Sequence, residues 1–244
     1  MRIAAISDIH GNLGALDAVL ADIADRGADV IVNLGDILSG PLEPAETADL
    51  LMSLGLPTIR GNHERQLLGG DVEKMGKSDR HAHGALRPEH FAWIAALPAT
   101  LSLSDDVFLC HGTPADDLVY FLEEVDETGS HRASEAKVAE RAGAIPASLI
   151  LCGHSHLPRA TRLADGRTIV NAGSVGLQAF DWDVPLFHKN ENGTPHARYV
   201  MIEKTAEGWQ PEFIALEYDW EGAALLADER GRPDWAVALR TGFA

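Results

Sequence analysis

Cysteine is scarce. The 244-residue chain has two, Cys110 and Cys152, and no Cys-x-x-Cys. That excludes a disulfide framework and a thiolate zinc site. Bases are also few. Against 37 acids there are 20 lysines and arginines, a formal charge of −17. A field of that sign repels phosphate backbones and anionic lipid, which argues against a nucleic-acid scaffold or a membrane-surface role. No apolar run approaches the roughly 20 residues a membrane helix needs. Asp8 comes too early for the apolar region of a signal peptide, so a reducing, cytoplasmic setting is expected. Hydrophobic residues at 45% and charged residues at 23% are a globular balance, enough for one large domain.

Histidine is plentiful, with 11 residues. Five of them sit in short motifs beside Asp, Asn or Gly, and each motif follows a predicted strand. Arg2 to Ser7 reads as a buried strand. Leu13, Leu16, Leu20 and Ile23 then mark one face of a helix that opens at Gly11-Asn12 and closes at Gly27. Val30 to Leu34 is a second strand, Pro44 starts a helix carrying Leu50, Leu51 and Leu54, and Pro57 to Arg60 is a third strand. This alternation predicts a parallel sheet with right-handed crossovers. Val107 to Cys110 and Leu149 to Cys152 are further strands, with a helix near Ala133 to Ala142 between them. Hairpins are predicted over Arg159 to Ala172 and from Ala197 to Tyr218. Residues 1–218 read as one domain without a linker. Residues 219–244 read as a helical tail packed on it, with helices starting at Asp219 and Pro233.

The motifs are Asp8-Ile9-His10, Gly35-Asp36, Gly61-Asn62-His63-Glu64, His111-Gly112 and Gly153-His154-Ser155-His156. In an open parallel sheet the strand C-termini share one edge, so five strand ends can deliver these side chains to one place. In extended chain, residues two apart point the same way, which pairs Asp8 with His10 and His154 with His156. The donor set is two Asp, one Asn and four His, without thiolate. It suits Mn, Fe, Zn or Co. Seven ligands exceed one ion, so two divalent ions sharing a carboxylate is the economical reading. Such a site keeps about one net positive charge within an acidic chain.

With these motifs the chain resembles the calcineurin-like metallophosphoesterase superfamily, whose pattern runs D-x-H, GD, GNH[DE], H and GHxH. The Ser-Asp-Ile-His-Gly-Asn opening is most similar to its small bacterial phosphodiesterase and phosphatase branch. The resemblance implies an α/β fold of two mixed β-sheets packed as a sandwich and flanked by helices. It implies two divalent metal ions, with Mn favoured. Asp8, His10 and His156 would hold the first ion, Asn62, His111 and His154 the second, and Asp36 would bridge both. A bridging hydroxide would attack phosphorus, and His63 would contact the phosphoryl group or protonate the leaving oxygen. The implied substrates are small organic phosphate mono- or diesters or nucleotides.

The phosphatases of this superfamily continue past the bridging Asp with D-R-G, whose Asp holds the catalytic His. Here the run is Gly35-Asp36-Ile37-Leu38-Ser39, with Ser39 in that place. Protein phosphatase activity is thereby disfavoured, and the group that orients His63 is left open. Dinucleoside polyphosphate hydrolysis is a second option, against which stands the lack of a dense basic cluster. A non-catalytic scaffold, like the retromer subunit of this fold, is a third, against which stands the presence of His63.

Other residues carry weaker expectations. Asn12 is read as a helix cap, either plain or aiming amides at the anion site, and Arg60 as a phosphate contact or one half of a surface ion pair. His81 and His83 fall in a polar stretch, Gly69 to Gly84, expected as a solvated loop or rim. His90, His131, His188 and His196 are expected at the surface, and both cysteines in the core. Phe180-Asp181-Trp182-Asp183 and Phe187 are placed in a long loop, as a plug or as a wall for an aryl or nucleoside group. Trp220 and Trp235 of the tail are expected to close a sheet edge or to support a homo-oligomer.

Overall fold

The computed structural model describes all 244 residues. The chain begins β1 (Arg2–Ile6), α1 (Leu13–Arg26), β2 (Val30–Asn33) and α2 (Pro44–Leu54). Three helices follow: α3 (Asn62–Gly69), α4 (Lys77–Ala85) and α5 (Pro88–Ala96). Next come β3 (Thr100–Ser104), β4 (Val107–Cys110), β5 (Glu123–Asp126), β6 (Gly129–Arg132) and α6 (Glu135–Ala142). Then come β7 (Leu149–Cys152), β8 (Arg159–Arg162), β9 (Thr168–Asn171), β10 (Ala179–Trp182) and β11 (His188–Glu191). The chain ends with β12 (Ala197–Thr205), β13 (Gly208–Leu216), α7 (Trp220–Glu229) and α8 (Pro233–Thr241).

Two mixed sheets form the centre, in the strand orders β13-β12-β1-β2 and β3-β4-β7-β9-β8. Period-2 alternation dictates how they pack. Ile3 and Ala5 of β1 join Leu149 and Leu151 of β7 in a core between the sheets. Ala4 and Ile6 turn the other way, onto Leu16, Val19 and Ile23 of α1. Ile150 and Cys152 turn onto Val138 and Ala142 of α6. The result is the expected sandwich with helices outside.

β1 runs parallel to β2, and β4 to β7, so within each sheet these strands end on the same edge. Pro57 to Arg60 is not a full strand. It makes one parallel bridge, Asn33 to Thr58, because Pro57 has no N–H to extend a ladder. Its backbone still follows β2, with Asn33 N donating to Pro57 O and Ile59 N to Asn33 O. It thus delivers Asn62 and His63 to the same edge. The polar stretch from Gly69 to Gly84 is largely helical, through α4. Three pairings escaped the sequence reading: β3 beside β4, and the small hairpins β5–β6 and β10–β11.

Two ligand-bearing loops meet at bare backbone. A side chain on Gly35, whose φ is +96°, would run into the amide of Gly61, and one on Gly61 into the carboxylate of Asp36. Glu64 then clamps the loops together. Its carboxylate is fully buried and accepts from the amides of Gly61 (2.9 Å), Asp36 (2.9 Å) and Ile37 (2.8 Å). Glu64→Ala would strand these donors, so unfolding in urea should reveal a loss of about 3 kcal/mol or more. A loss below about 1 kcal/mol would mean the clamp is dispensable.

Candidate metal centre and active site

The seven candidate ligands resolve into two groups. Asp8, His10 and His156 lie together, as do Asp36, His111 and His154, with donor atoms in each group within 4.8 Å of one another. Asn62 joins the second group. Its amide oxygen lies 3.2 Å from His111 Nε2, 3.2 Å from Asp36 Oδ2 and 3.1 Å from His154 Nδ1. The groups adjoin, since Asp8 Oδ2 accepts from the backbone N–H of His154 (3.1 Å). The two-apart spacing misled in one respect: His154 and His156 serve different groups.

The backbone at these residues does not follow strand alternation. Asp8, His10, Asp36, His154 and His156 all have φ between +52° and +68°, and no other non-glycine residue has a positive φ. The side chains are therefore aimed by left-handed turns just beyond the strands, and extended alternation does not apply. Each such residue costs about 1 kcal/mol or more.

Three imidazoles have their tautomer set by the main chain. Nδ1 of His10 donates to Ser39 O (2.7 Å), that of His156 to Leu177 O (2.8 Å) and that of His111 to Leu34 O (2.8 Å). A carbonyl only accepts, so these protons stay on Nδ1 and each Nε2 can present a lone pair. His10 Nε2 and His156 Nε2 stand 3.1 Å apart, with Asp8 Oδ1 3.4 Å from the latter and otherwise without a hydrogen-bond partner. The Asn62 amide likewise turns its oxygen, not its nitrogen, toward other acceptors. Acceptors packed against acceptors repel unless a positive centre lies among them. The residues present therefore fit divalent cations, two groups for two ions.

The charges agree. Burial, and then neighbouring His156, push His10 down to about 4; burial and His111 do the same to His154, also to about 4. Both rings are thus neutral ligands at pH 7. Burial opposes charge on His111 too, but Asp36, 3.0 Å away, lifts it to about 10, so at pH 7 its Nε2 carries a proton toward Asp36 that a metal ion would have to displace. In the same way burial would raise Asp36, yet His111 and His63 hold it well below the usual carboxylate range.

His63 stands at the first turn of α3, half-buried, its ring centroid 5.5 Å from that of His10. Its Nδ1 lies 2.8 Å from Asp79 Oδ1. Asp79 is the orienting group that Ser39 does not supply. It comes from α4, inside the polar stretch read as a loop, and no sequence signal near Asp36 pointed to it. Burial opposes charge on His63, but Asp36 and then Asp79 raise it to about 9.

A cavity of about 1110 Å³ opens over both groups, lined by His10, Asp36, Asn62, His63, His154 and His156. Tyr120 lines it as well, its ring 4.9 Å from His154 and its hydroxyl 2.9 Å from His188 Nε2. Asn12 and Arg60 stay outside it. Asn12 caps α1 through Ala15 N, and its amide nitrogen is taken by Gly176 O and Tyr218 OH. His90 and His188 are buried rather than exposed, each with polar partners. His81 approaches Arg230, and His83 stacks near Phe91. Both cysteines are buried and unpaired. Phe180 and Trp182 lie on β10, not in a loop. Trp235 closes no sheet edge; it packs on His10 with ring centroids 5.8 Å apart and lines the cavity.

Residues 1–186 match the calcineurin-like phosphoesterase superfamily domain, and the chain belongs to that superfamily of metal-dependent phosphoesterases. It is similar to a metallophosphoesterase from Sphaerobacter thermophilus, with 26% identity, a TM-score of 0.76 and 98% of each chain covered. It is 27% identical to the uncharacterized protein MJ0912 of Methanocaldococcus jannaschii, over 96% of this chain and 94% of that one. The hypothetical protein PH1004 of Pyrococcus horikoshii OT3 shares the fold, with 18% identity, a TM-score of 0.74 and coverage of 99% and 98%. No helix is long and apolar enough to cross a membrane.

A cation that relieves the repulsion must stabilise the fold. Added Mn²⁺ at a hundredfold excess over its Kd should raise stability by about 2.7 kcal/mol per site, read as a higher melting temperature that EDTA reverses. A melting temperature indifferent to Mn²⁺, Fe²⁺, Zn²⁺ and Co²⁺ would contradict a metal role for these groups.

Proposed function

We propose that this protein is a two-metal phosphoesterase hydrolysing small organic phosphate mono- or diesters, nucleotides among them. The observation that carries the reading is two adjoining clusters of metal-ligating side chains at one cavity, beside a histidine already paired with a carboxylate. In this reading Asp8, His10 and His156 hold one ion, Asn62, His111 and His154 the other, and Asp36 serves both. Mn²⁺ is the favoured metal. A pair of divalent ions, when bound, supplies acidified water and positive charge against the phosphoryl oxygens.

The chain's own residues do the rest. Asp79 holds the Nδ1 proton of His63, which leaves Nε2 to carry the proton that moves. As the P–O bond breaks, His63 Nε2 protonates the departing oxygen, and Asp79 stabilises the imidazolium before transfer. Asn62 and His63 are placed to contact the phosphoryl group. Two arginines reach the cavity, and both are committed. Arg141 donates to the carbonyls of Phe121 and Glu123, and Arg232 pairs with Asp234. That favours one phosphoryl group over a polyphosphate chain. The buried, unpaired thiols suit a reducing compartment, and we place the enzyme in the cytoplasm.

Supplied with Mn²⁺, the protein should hydrolyse p-nitrophenyl phosphate or its bis ester. Absence of turnover with every divalent metal tried would overturn the reading and leave a scaffold. His63→Ala should slow turnover by about 10²–10⁴-fold and keep the metal content. Asp79→Asn should slow it in the same direction, also with metals retained. Asp36→Asn should cut the content from about two ions per chain at both positions together. Loss of metal in His63→Ala would refute the assigned roles.

A further inference from the structure

The cavity is far larger than a phosphoryl group requires, and its outer part has two walls. One is the β10–β11 hairpin. Phe180 and Trp182, two apart on β10, present the same face of the strand, and both line the cavity. The Phe180 ring lies 4.7 Å from that of His156. The other wall is α8. Trp235 packs on His10, and the Arg232 guanidinium lies 5.4 Å from the Trp235 ring centroid. Arg232 also donates to Ser78 Oγ (2.7 Å), the neighbour of Asp79. Helix α8 therefore stands on the His63 side, where the leaving oxygen departs.

Large apolar surface is left in water at this mouth. Trp182 is 56% exposed and Val184 62% exposed, and both line the cavity. The polar groups at the rim include the carboxylates of Glu124, Asp181 and Asp234, while Arg232 pairs with Asp234 and Arg141 donates to the carbonyls of Phe121 and Glu123. Such a rim favours hydrogen-bond donors and disfavours further negative charge. Helix α8 also lies beyond residues 1–186, which match the superfamily domain.

We propose that the slot lined by the β10–β11 hairpin and α8 binds the leaving group of the ester as a planar aromatic ring that carries no second phosphate. This rests on the phosphoesterase reading and adds the class of leaving group to it. Aromatic faces at Trp182 and Phe180 suit a flat ring, and the carboxylates at the rim suit amino or hydroxyl substituents on it.

The test uses phosphonates, which keep one headgroup and have no ester bond to hydrolyse. Binding of phenyl-, hexyl- and methylphosphonate to the Mn²⁺-loaded protein is measured by calorimetry. Phenylphosphonate should bind about tenfold tighter than methylphosphonate, and about threefold tighter than hexylphosphonate. In Trp182→Ala, an exposed position, the phenyl-to-methyl ratio should fall to about threefold or less. Equal affinity for phenyl and methyl in the wild type, or a ratio unmoved by Trp182→Ala, overturns the slot. Hexyl matching phenyl overturns its preference for a planar ring and favours a flexible alkyl chain. If esters are hydrolysed without regard to the leaving group, the slot alone fails. If no ester is turned over and no phosphonate binds, the phosphoesterase reading fails with it.

Discussion

The site depends on where three protons are kept. Backbone carbonyls of Ser39, Leu34 and Leu177 hold the Nδ1 protons of His10, His111 and His156, and so free Nε2 on each ring. Those carbonyls are fixed by the loops that leave β2 and β9, whose strands are fixed by the sandwich. The chain thus spends backbone acceptors to assemble side-chain lone pairs at close quarters. Repulsion among those lone pairs suits the arrangement to cations, and cations bound there would give an acidic protein a local positive centre.

Aiming the ligands carries a conformational cost, and the cost is concentrated. Five ligands adopt left-handed backbone, and no other non-glycine residue does. Buried anchors counterbalance it. Glu64 ties the Asp36 loop to the start of α3. Gly35 and Gly61 let the two loops touch. On the far side, Asn171 donates to Gly153 O (2.6 Å) and to Ser155 Oγ (3.0 Å), fixing the turn that carries His154 and His156.

The periphery differs in origin from the reaction centre. Ligands come from strand ends between Asp8 and His156, whereas the outer cavity is built by the β10–β11 hairpin and by the C-terminal helix. Trp235 belongs to both levels, since it buttresses His10 and faces the cavity. The candidate metal centre and the outer cavity thus reside on separate segments, joined by a few ring-to-ring contacts.

The sandwich and the candidate ligands were legible in the primary structure because both are local: strands alternate with period two, and each candidate lies just past an extended segment. Asp8, Asp36, Asn62, His111 and His154 needed no distant information to be found. What remained hidden was whatever lies far along the chain or depends on backbone conformation. Asp79 reaches His63 from a helix without a distinctive pattern, left-handed backbone replaces strand alternation at five of the candidate ligands, and Trp235 travels from the last helix to pack on His10. Nothing in a linear pattern encodes which segments will face each other across a cavity. That is settled only when helices and hairpins pack on the two sheets and bring remote side chains within hydrogen-bonding or stacking distance.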